Sequence, residues 1–159
     1  MELINREDPS IKLLIVGGGG EFEDKVKGVV KEHRYSDNIH LTGFKNNPVP
    51  FYLLSDLLIV VSENEGLSNA ILESMACGTL VLSSRSCGAS ELISDTINGY
   101  LLSNTQPEVI ARTILDILSK RGEELRSIRN AAESYVTRNY SIKAMLDRYI
   151  QLYNSFGVL

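Results

Sequence analysis

Five short and nearly unbroken apolar runs, at residues 11–16, 38–42, 57–61, 79–84 and 99–102, alternate with helix-patterned segments at 21–35, 48–55, 68–77 and 89–94. A strand that is apolar along its whole length needs cover on both faces, and helices between the strands supply it. The alternation therefore predicts an α/β fold in which a parallel sheet carries helices on both faces. After Pro107, a favoured first-turn residue, only helical spacing remains. Ile110, Ile114, Ile117 and Leu118 form one stripe, and Leu125, Ile128, Ala132, Tyr135 and Val136 a second. Ser141 stands as N-cap to a third, made of Met145, Leu146, Tyr149, Ile150 and Tyr153. These stripes, tyrosines included, read as packing surfaces. The expected organisation is one domain over 1–159, with a strand and helix core at 1–106 and C-terminal helices at 107–159.

A chain of 159 residues is long enough for one real hydrophobic core and too short for two comfortable ones. Its net charge of -4 offers no basic face for a nucleic acid. No apolar run approaches the ~20 residues of a membrane span, and residues 1–8 hold no apolar leader core. Cys77 and Cys87 are too few for a disulfide framework or a zinc site, so a reducing cytoplasm is the expected setting. His33 and His40 flank a predicted strand as ordinary surface groups.

The chemistry concentrates in residues 62–78, which begin where the run at 57–61 ends. Ligands of open parallel sheets bind beyond the carboxyl ends of the strands, and Glu65 lies in that strand-to-helix loop. Glu73 lies within the following helix among Ala70, Ile71, Leu72, Met75 and Ala76. A helix so apolar is expected to be well buried, where a carboxylate is costly unless something satisfies it. Asn69 and Glu73 share a face with Ala70, Ala76 and Cys77. That carboxylate either pairs with a buried base or caps neighbouring backbone, or it receives a ligand such as the vicinal diol of a ribose. After the run at 79–84, Gly88, Ala89 and Ser90 open a short helix whose free amides are expected to face the same crevice, where a diphosphate could lie.

The glycines at 17–20 suggest a dinucleotide-binding oxidoreductase, but the required spacing puts Phe22 and Glu23 where glycine is needed. No acidic residue closes the strand at 38–42 either. A non-catalytic nucleotide-binding module stays open as an alternative. A sugar-nucleotide epimerase would carry further acid/base residues near the pocket, which this sequence does not show.

The 62–78 segment resembles the family-four retaining glycosyltransferases (group 1), whose hallmark is Glu-Gly-x-x-Asn-x-x-x-Glu-x-Met-Ala-x-Gly. Glu65, Gly66, Asn69, Glu73, Met75, Ala76 and Gly78 match in register. Downstream, Gly88 to Glu91 and then Asn98, Gly99, Tyr100, Leu101 and Leu102 follow the family pattern. Upstream, so do the run into Gly20, the segment Asn38 to Phe44, and Ser55 with Asp56. The resemblance covers residues 9–118.

It implies the nucleotide-sugar-binding, C-terminal half of the two-lobed, Rossmann-like GT-B architecture, acting with retention and without a metal or other cofactor. Glu65 would contact donor-sugar hydroxyls as the catalytic carboxylate, next to Gly66, Leu67, Ser68 and Asn69. Glu73 would hold the ribose diol, Gly88, Ala89 and Ser90 the diphosphate and sugar, and Gly43, Phe44 and Lys45 the edge of the base. The family's half opens with a strand and a basic loop. Residues 1–6 here look like the tail of the helix that follows them, and Arg6 is misplaced to substitute for that loop. Arg85 reads as a solvated surface group. The acceptor-binding N-terminal half is a further expected partner, so the chain alone is expected to be inactive in transfer. The strand so lacking would lie between those at 11–16 and 57–61. Their edges are therefore expected either to close on each other or to take a strand from a second chain. A cytoplasmic place, at the inner membrane surface in a full-length enzyme, goes with this reading.

Overall fold

The structure, a computed structural model, describes residues 1–63, 66–120 and 122–157, with Cys87 described by its backbone alone. The first part of the chain runs α1 (Glu2–Glu7), β1 (Leu13–Val16), α2 (Glu23–Glu32), a single 3₁₀ turn (Ser36–Asn38) and β2 (Ile39–Gly43). Then come α3 (Val49–Leu54), β3 (Leu57–Val60), α4 (Asn69–Ala76), β4 (Leu80–Ser83), α5 (Cys87–Leu92) and β5 (Tyr100–Leu101). Three helices close the chain: α6 (Pro107–Ser119), α7 (Glu123–Asn139) and α8 (Ile142–Ser155). Every apolar run of the sequence contains a strand, and all pairings between named strands are parallel. The expected α/β class, with parallel sheets flanked by helices, is the one observed.

One expectation is corrected. The edges of β1 and β3 do not close on each other: β1 pairs with β2 in a two-stranded sheet, and β3–β4–β5 form a separate one. The two sheets are tied through side chains. Ile4 of α1 is buried in a cluster with Ala111, Ile114 and Ile117 of α6, and Ile11, Leu57 and Ile59 lean on that same cluster. Apolar cover from α1 and α6 thus holds the sheets together without a backbone ladder between β1 and β3.

Burial shows which strand is central. All four residues of β4 are buried, those of β3 are half-buried, and Val16 at the end of β1 is exposed. The strand's period of two divides its side chains between faces. Leu80 and Leu82 join Tyr100, Leu102 and α6, while Val81 joins Ile71 and Met75 of α4, Leu92 and Ile93, and Ala132 and Val136 of α7. Helix α7 serves both sides, since its Ile128 belongs to the first cluster.

The hydroxyl of Ser141 caps α8 by accepting the Ala144 amide at 3.2 Å, as its position predicts. The stripe it introduces is not a core, however. No residue of α8 is buried, and Met145, Leu146, Tyr149, Ile150 and Tyr153 are each about half exposed. Among the described elements α8 packs chiefly on α7, which leaves most of its apolar face uncovered. Among the described residues no helix is long and apolar enough to cross a membrane.

Candidate functional site

The site is built where β3 and β4 end. Ser62, just past β3, is held by the hydroxyl of Ser84, just past β4. That hydroxyl accepts the Ser62 amide at 3.0 Å and donates to the Ser62 carbonyl at 2.7 Å. Ser84 is itself buried. The far side of the same loop is held by backbone packing. A Cβ placed on Gly88 in α5 would overlap the Gly66 carbonyl and come within 3.0 Å of the Leu67 amide nitrogen. Gly88 therefore has to be glycine because two backbones meet there. The loop that the sequence singles out is clamped at both of its described ends.

Removing the first clamp has a calculable effect. Ser84→Ala leaves both polar groups of Ser62 without their partner. It is expected to lower stability by about 1–3 kcal/mol, read as an earlier urea midpoint with an unchanged slope.

The site residues divide as follows. Asn64 and Glu65 lie outside the described residues, so the catalytic assignment to Glu65 carries no geometry. Gly66 and Leu67 are exposed, Ser68 is buried as the N-cap residue of α4, and Asn69 is exposed. Glu73 corrects an expectation, for it is exposed rather than buried. The apolar helix meets the core with Ile71, Ser74 and Met75, while Asn69, Glu73 and Ala76 lie on its open side. The grouping of Asn69, Glu73 and Ala76 read from helical spacing is therefore real, but it is a surface shelf.

Glu73 has a partner that lies beyond the motif. The Tyr52 hydroxyl of α3 donates to Glu73 Oε2 at 3.1 Å. Partial burial, reinforced by the neighbouring Glu73 carboxylate, pushes the Tyr52 phenol up to about 12. The Cys77 thiol, one helical turn further along, is also pushed up by burial and by Glu73. No sequence signal joins Tyr52 to Glu73, because the contact spans 21 residues between two helices.

Helix α5 offers fewer free amides than expected. Its N-cap Ser86 takes the Ala89 amide on its hydroxyl at 3.3 Å and the Ser90 amide on its carbonyl at 3.0 Å. Of the three amides singled out, only that of Gly88 donates to no acceptor among the described residues. Arg85 is about half exposed and its guanidinium lies 3.4 Å from the Asp95 carboxylate, which makes it a surface ion pair.

The loop at Gly43, Phe44 and Lys45 belongs to the other sheet. The Gly43 carbonyl accepts the Gly17 amide at 3.1 Å, and Gly18 packs against Gly43 and Phe44. Phe44 is 72% exposed, the most open aromatic ring of the described chain. No described hydrogen bond connects this loop to the 62–90 site. Among the described residues no group of three His, Cys, Asp or Glu could hold a metal ion.

Comparison with known proteins bears on this arrangement. The family model described as glycosyl transferases group 1 matches residues 1–135. A lipopolysaccharide core biosynthesis glycosyltransferase of Rhizobium meliloti, LpsE, is 31% identical over 144 residues, covering 91% of this chain and 42% of the relative. The crystal structure of HepE from Anabaena in complex with UDP superposes with a TM-score of 0.87 at 19% identity, over 97% of this chain and 43% of that one. The C-terminal domain of LpcC, a group 1 family glycosyl transferase from Francisella tularensis, matches with a TM-score of 0.74 at 25% identity, over 88% of this chain and 75% of that domain. The chain thus spans less than half the length of LpsE and of HepE. With the family model matching residues 1–135, most of the chain, the chain belongs to the glycosyl transferases group 1 family.

Proposed function

We propose that this chain is the donor-binding half of a retaining glycosyltransferase of family four, which moves a hexosyl group from a nucleotide-diphosphate sugar to an acceptor in polysaccharide or glycolipid assembly. The observation that carries the reading is the shelf on α4. It is an exposed carboxylate, Glu73, with no Lys or Arg pairing it among the described residues, on the helix that follows a loop clamped at both ends. A carboxylate in that condition has lone pairs available for two adjacent hydroxyls.

In this reading Glu73 accepts the ribose diol. Glu65, together with Gly66, Leu67, Ser68 and Asn69, meets the hydroxyls of the donor sugar. The Gly88 amide faces the diphosphate, with Ala89 and Ser90 beside it toward the sugar, and Gly43, Phe44 and Lys45 border the base. The new glycosidic bond forms on the face from which the diphosphate leaves, so configuration is kept, and no metal or other cofactor takes part. The negative charge built up on the leaving diphosphate needs preorganised cations, and Arg85 is engaged with Asp95. The acceptor-binding half carried by longer relatives would complete the cleft, and this chain alone would not transfer. The unpaired edges of β1 and β3 would take a strand from a second chain. The whole enzyme would work in the cytoplasm, at the inner membrane surface.

Calorimetric titration with UDP, GDP and ADP, and with their sugar conjugates, tests the reading. UDP is the first probe because HepE was crystallised with it. One nucleotide is expected to bind, and Glu73→Ala to weaken it by about ten- to a hundredfold, the effect of losing hydrogen bonds to a charged group. A folded chain that binds none of the three, or a Glu73→Ala variant that binds as well as wild type, would overturn it.

A further inference from the structure

We infer that Tyr52 is a positioning residue for the donor site: its hydroxyl fixes the orientation of the Glu73 carboxylate that receives the ribose diol. The inference rests on the donor-site reading given above and adds a residue that lies outside the 62–78 segment.

Glu73 stands on the open side of α4, where a glutamate has several rotamers and a solvated head. Asn69 and Ala76 beside it are exposed as well, and Ala70 and Cys77 are small, so the shelf does little to choose among those rotamers. The choice falls to the 3.1 Å hydrogen bond from Tyr52 to Oε2. Among the described residues that leaves Oε1 without a hydrogen bond and Oε2 with a second lone pair, so both oxygens can still accept a hydroxyl. A carboxylate oriented before the ligand arrives loses less rotamer freedom on binding.

The chemical identity of the partner matters. A lysine or arginine in the same place would neutralise Glu73 and occupy its acceptors. A phenol donates one proton and leaves the negative charge in place for the ligand. The upward displacement of the Tyr52 phenol to about 12, caused first by burial and then by Glu73, keeps that donor protonated throughout the neutral range.

Tyr52 is also held rigidly enough for the task. Its carbonyl accepts the buried Thr79 hydroxyl at 2.7 Å and the Ser55 amide at 3.1 Å. Thr79 follows directly on Gly78, whose φ of 70° turns the chain out of α4. The backbone of Tyr52 is thereby anchored to the end of the helix that carries Glu73, so α3 and α4 hold their spacing.

The experiment is a double-mutant cycle, Tyr52→Phe with Glu73→Ala. Calorimetry reads it with UDP, GDP and ADP, each against its diol-lacking 2′,3′-dideoxy counterpart. Tyr52→Phe is expected to weaken the bound nucleotide by about five- to tenfold. It should leave the dideoxy counterpart unchanged and add nothing in the Glu73→Ala background. Equal losses on both ligands, or additive losses in the double variant, would show that the hydroxyl acts other than through Glu73, and would overturn the inference while leaving the donor site intact. Wild type failing to distinguish diol from dideoxy would instead overturn the donor-site reading, and the positioning role with it.

A ligand-free readout stands beside the cycle. In an NMR titration of isotope-labelled tyrosine, the Tyr52 resonance, assigned by its loss in Tyr52→Phe, is expected to titrate near 12 and to move down in Glu73→Gln. An unmoved Tyr52 would mean that the hydrogen bond is absent in solution, which also overturns the inference.

Discussion

Gly88→Ala is expected to lower stability by about 3 kcal/mol and to abolish measurable nucleotide binding. The added methyl has nowhere to go, because its carbon would overlap the Gly66 carbonyl and press on the Leu67 amide. Backbone atoms cannot swing aside as the end of a flexible side chain can. Either α5 retreats from the sheet or the 62–68 loop lifts. Overpacking usually costs about 1–3 kcal/mol, and a clash with main chain in a buried position belongs at the top of that range. Both retreats damage the donor site, since one moves the Gly88 amide and the other moves the loop that carries Glu65. Gly78→Ala is the informative control. Gly78 has a left-handed φ of 70° but nothing within 4 Å of an added Cβ, so only backbone strain of about 1–2 kcal/mol applies. Thermal unfolding and UDP calorimetry on the two variants separate the causes. A Gly88→Ala chain with wild-type melting and binding would show that the backbone contact is not tight in solution.

Leu82→Ala is expected to cost still more stability, about 3–5 kcal/mol, without acting on the site directly. Leu82 is 0% exposed at the centre of β4 and packs among Tyr100, Leu102 and α6. Deleting a buried leucine loses its transfer free energy and leaves a cavity that strands on both sides keep from collapsing. For a chain of this size each kcal/mol moves the melting point by roughly 2–4 °C, so a fall on the order of 10 °C is expected by calorimetric scanning. Leu146→Ala on α8 makes the contrast, because that side chain is 51% exposed and its loss should stay within about 1 kcal/mol. Similar losses at the two positions would mean that the apolar face of α8 is covered in solution.

The strands and most helices were legible because their apolar spacing reports burial directly. Leu80, Val81 and Leu82 read as a run covered on both faces and are buried on both. The same logic misjudged α8, whose Met145, Leu146, Tyr149, Ile150 and Tyr153 have the right spacing for packing but little to pack on. Periodicity identifies a face that wants cover; it does not say what covers it. Glu73 was misjudged for a related reason. Ala70 and Ala76 raise the apolar count of α4 without belonging to its core face, so the helix looked more buried than it is. The Tyr52 contact and the Ser62–Ser84 pair depend on how distant segments meet, which a local pattern does not contain. Motif register did group Gly66 and Gly88 in one site, and the structure shows them in direct backbone contact. The free amides expected at Ala89 and Ser90 were missed because Ser86 caps the helix from its own N-terminus.

The uneven burial of the two sheets has an energetic consequence. Helix α2 contributes no buried residue and β2 only Ile39, whereas β4 is buried throughout and α4 and α7 each bury three side chains against it or its neighbours. A region opens independently when few apolar contacts must break to release it. The β1–α2–β2 unit is therefore expected to open locally at lower cost than β3–β4–β5. The loop at Gly43, Phe44 and Lys45 rides on the weaker unit and the Glu73 shelf on the stronger. A ligand touching both would be bound partly by restraining that local opening, so the fluctuating unit, rather than the rigid one, would set much of the entropy lost on binding.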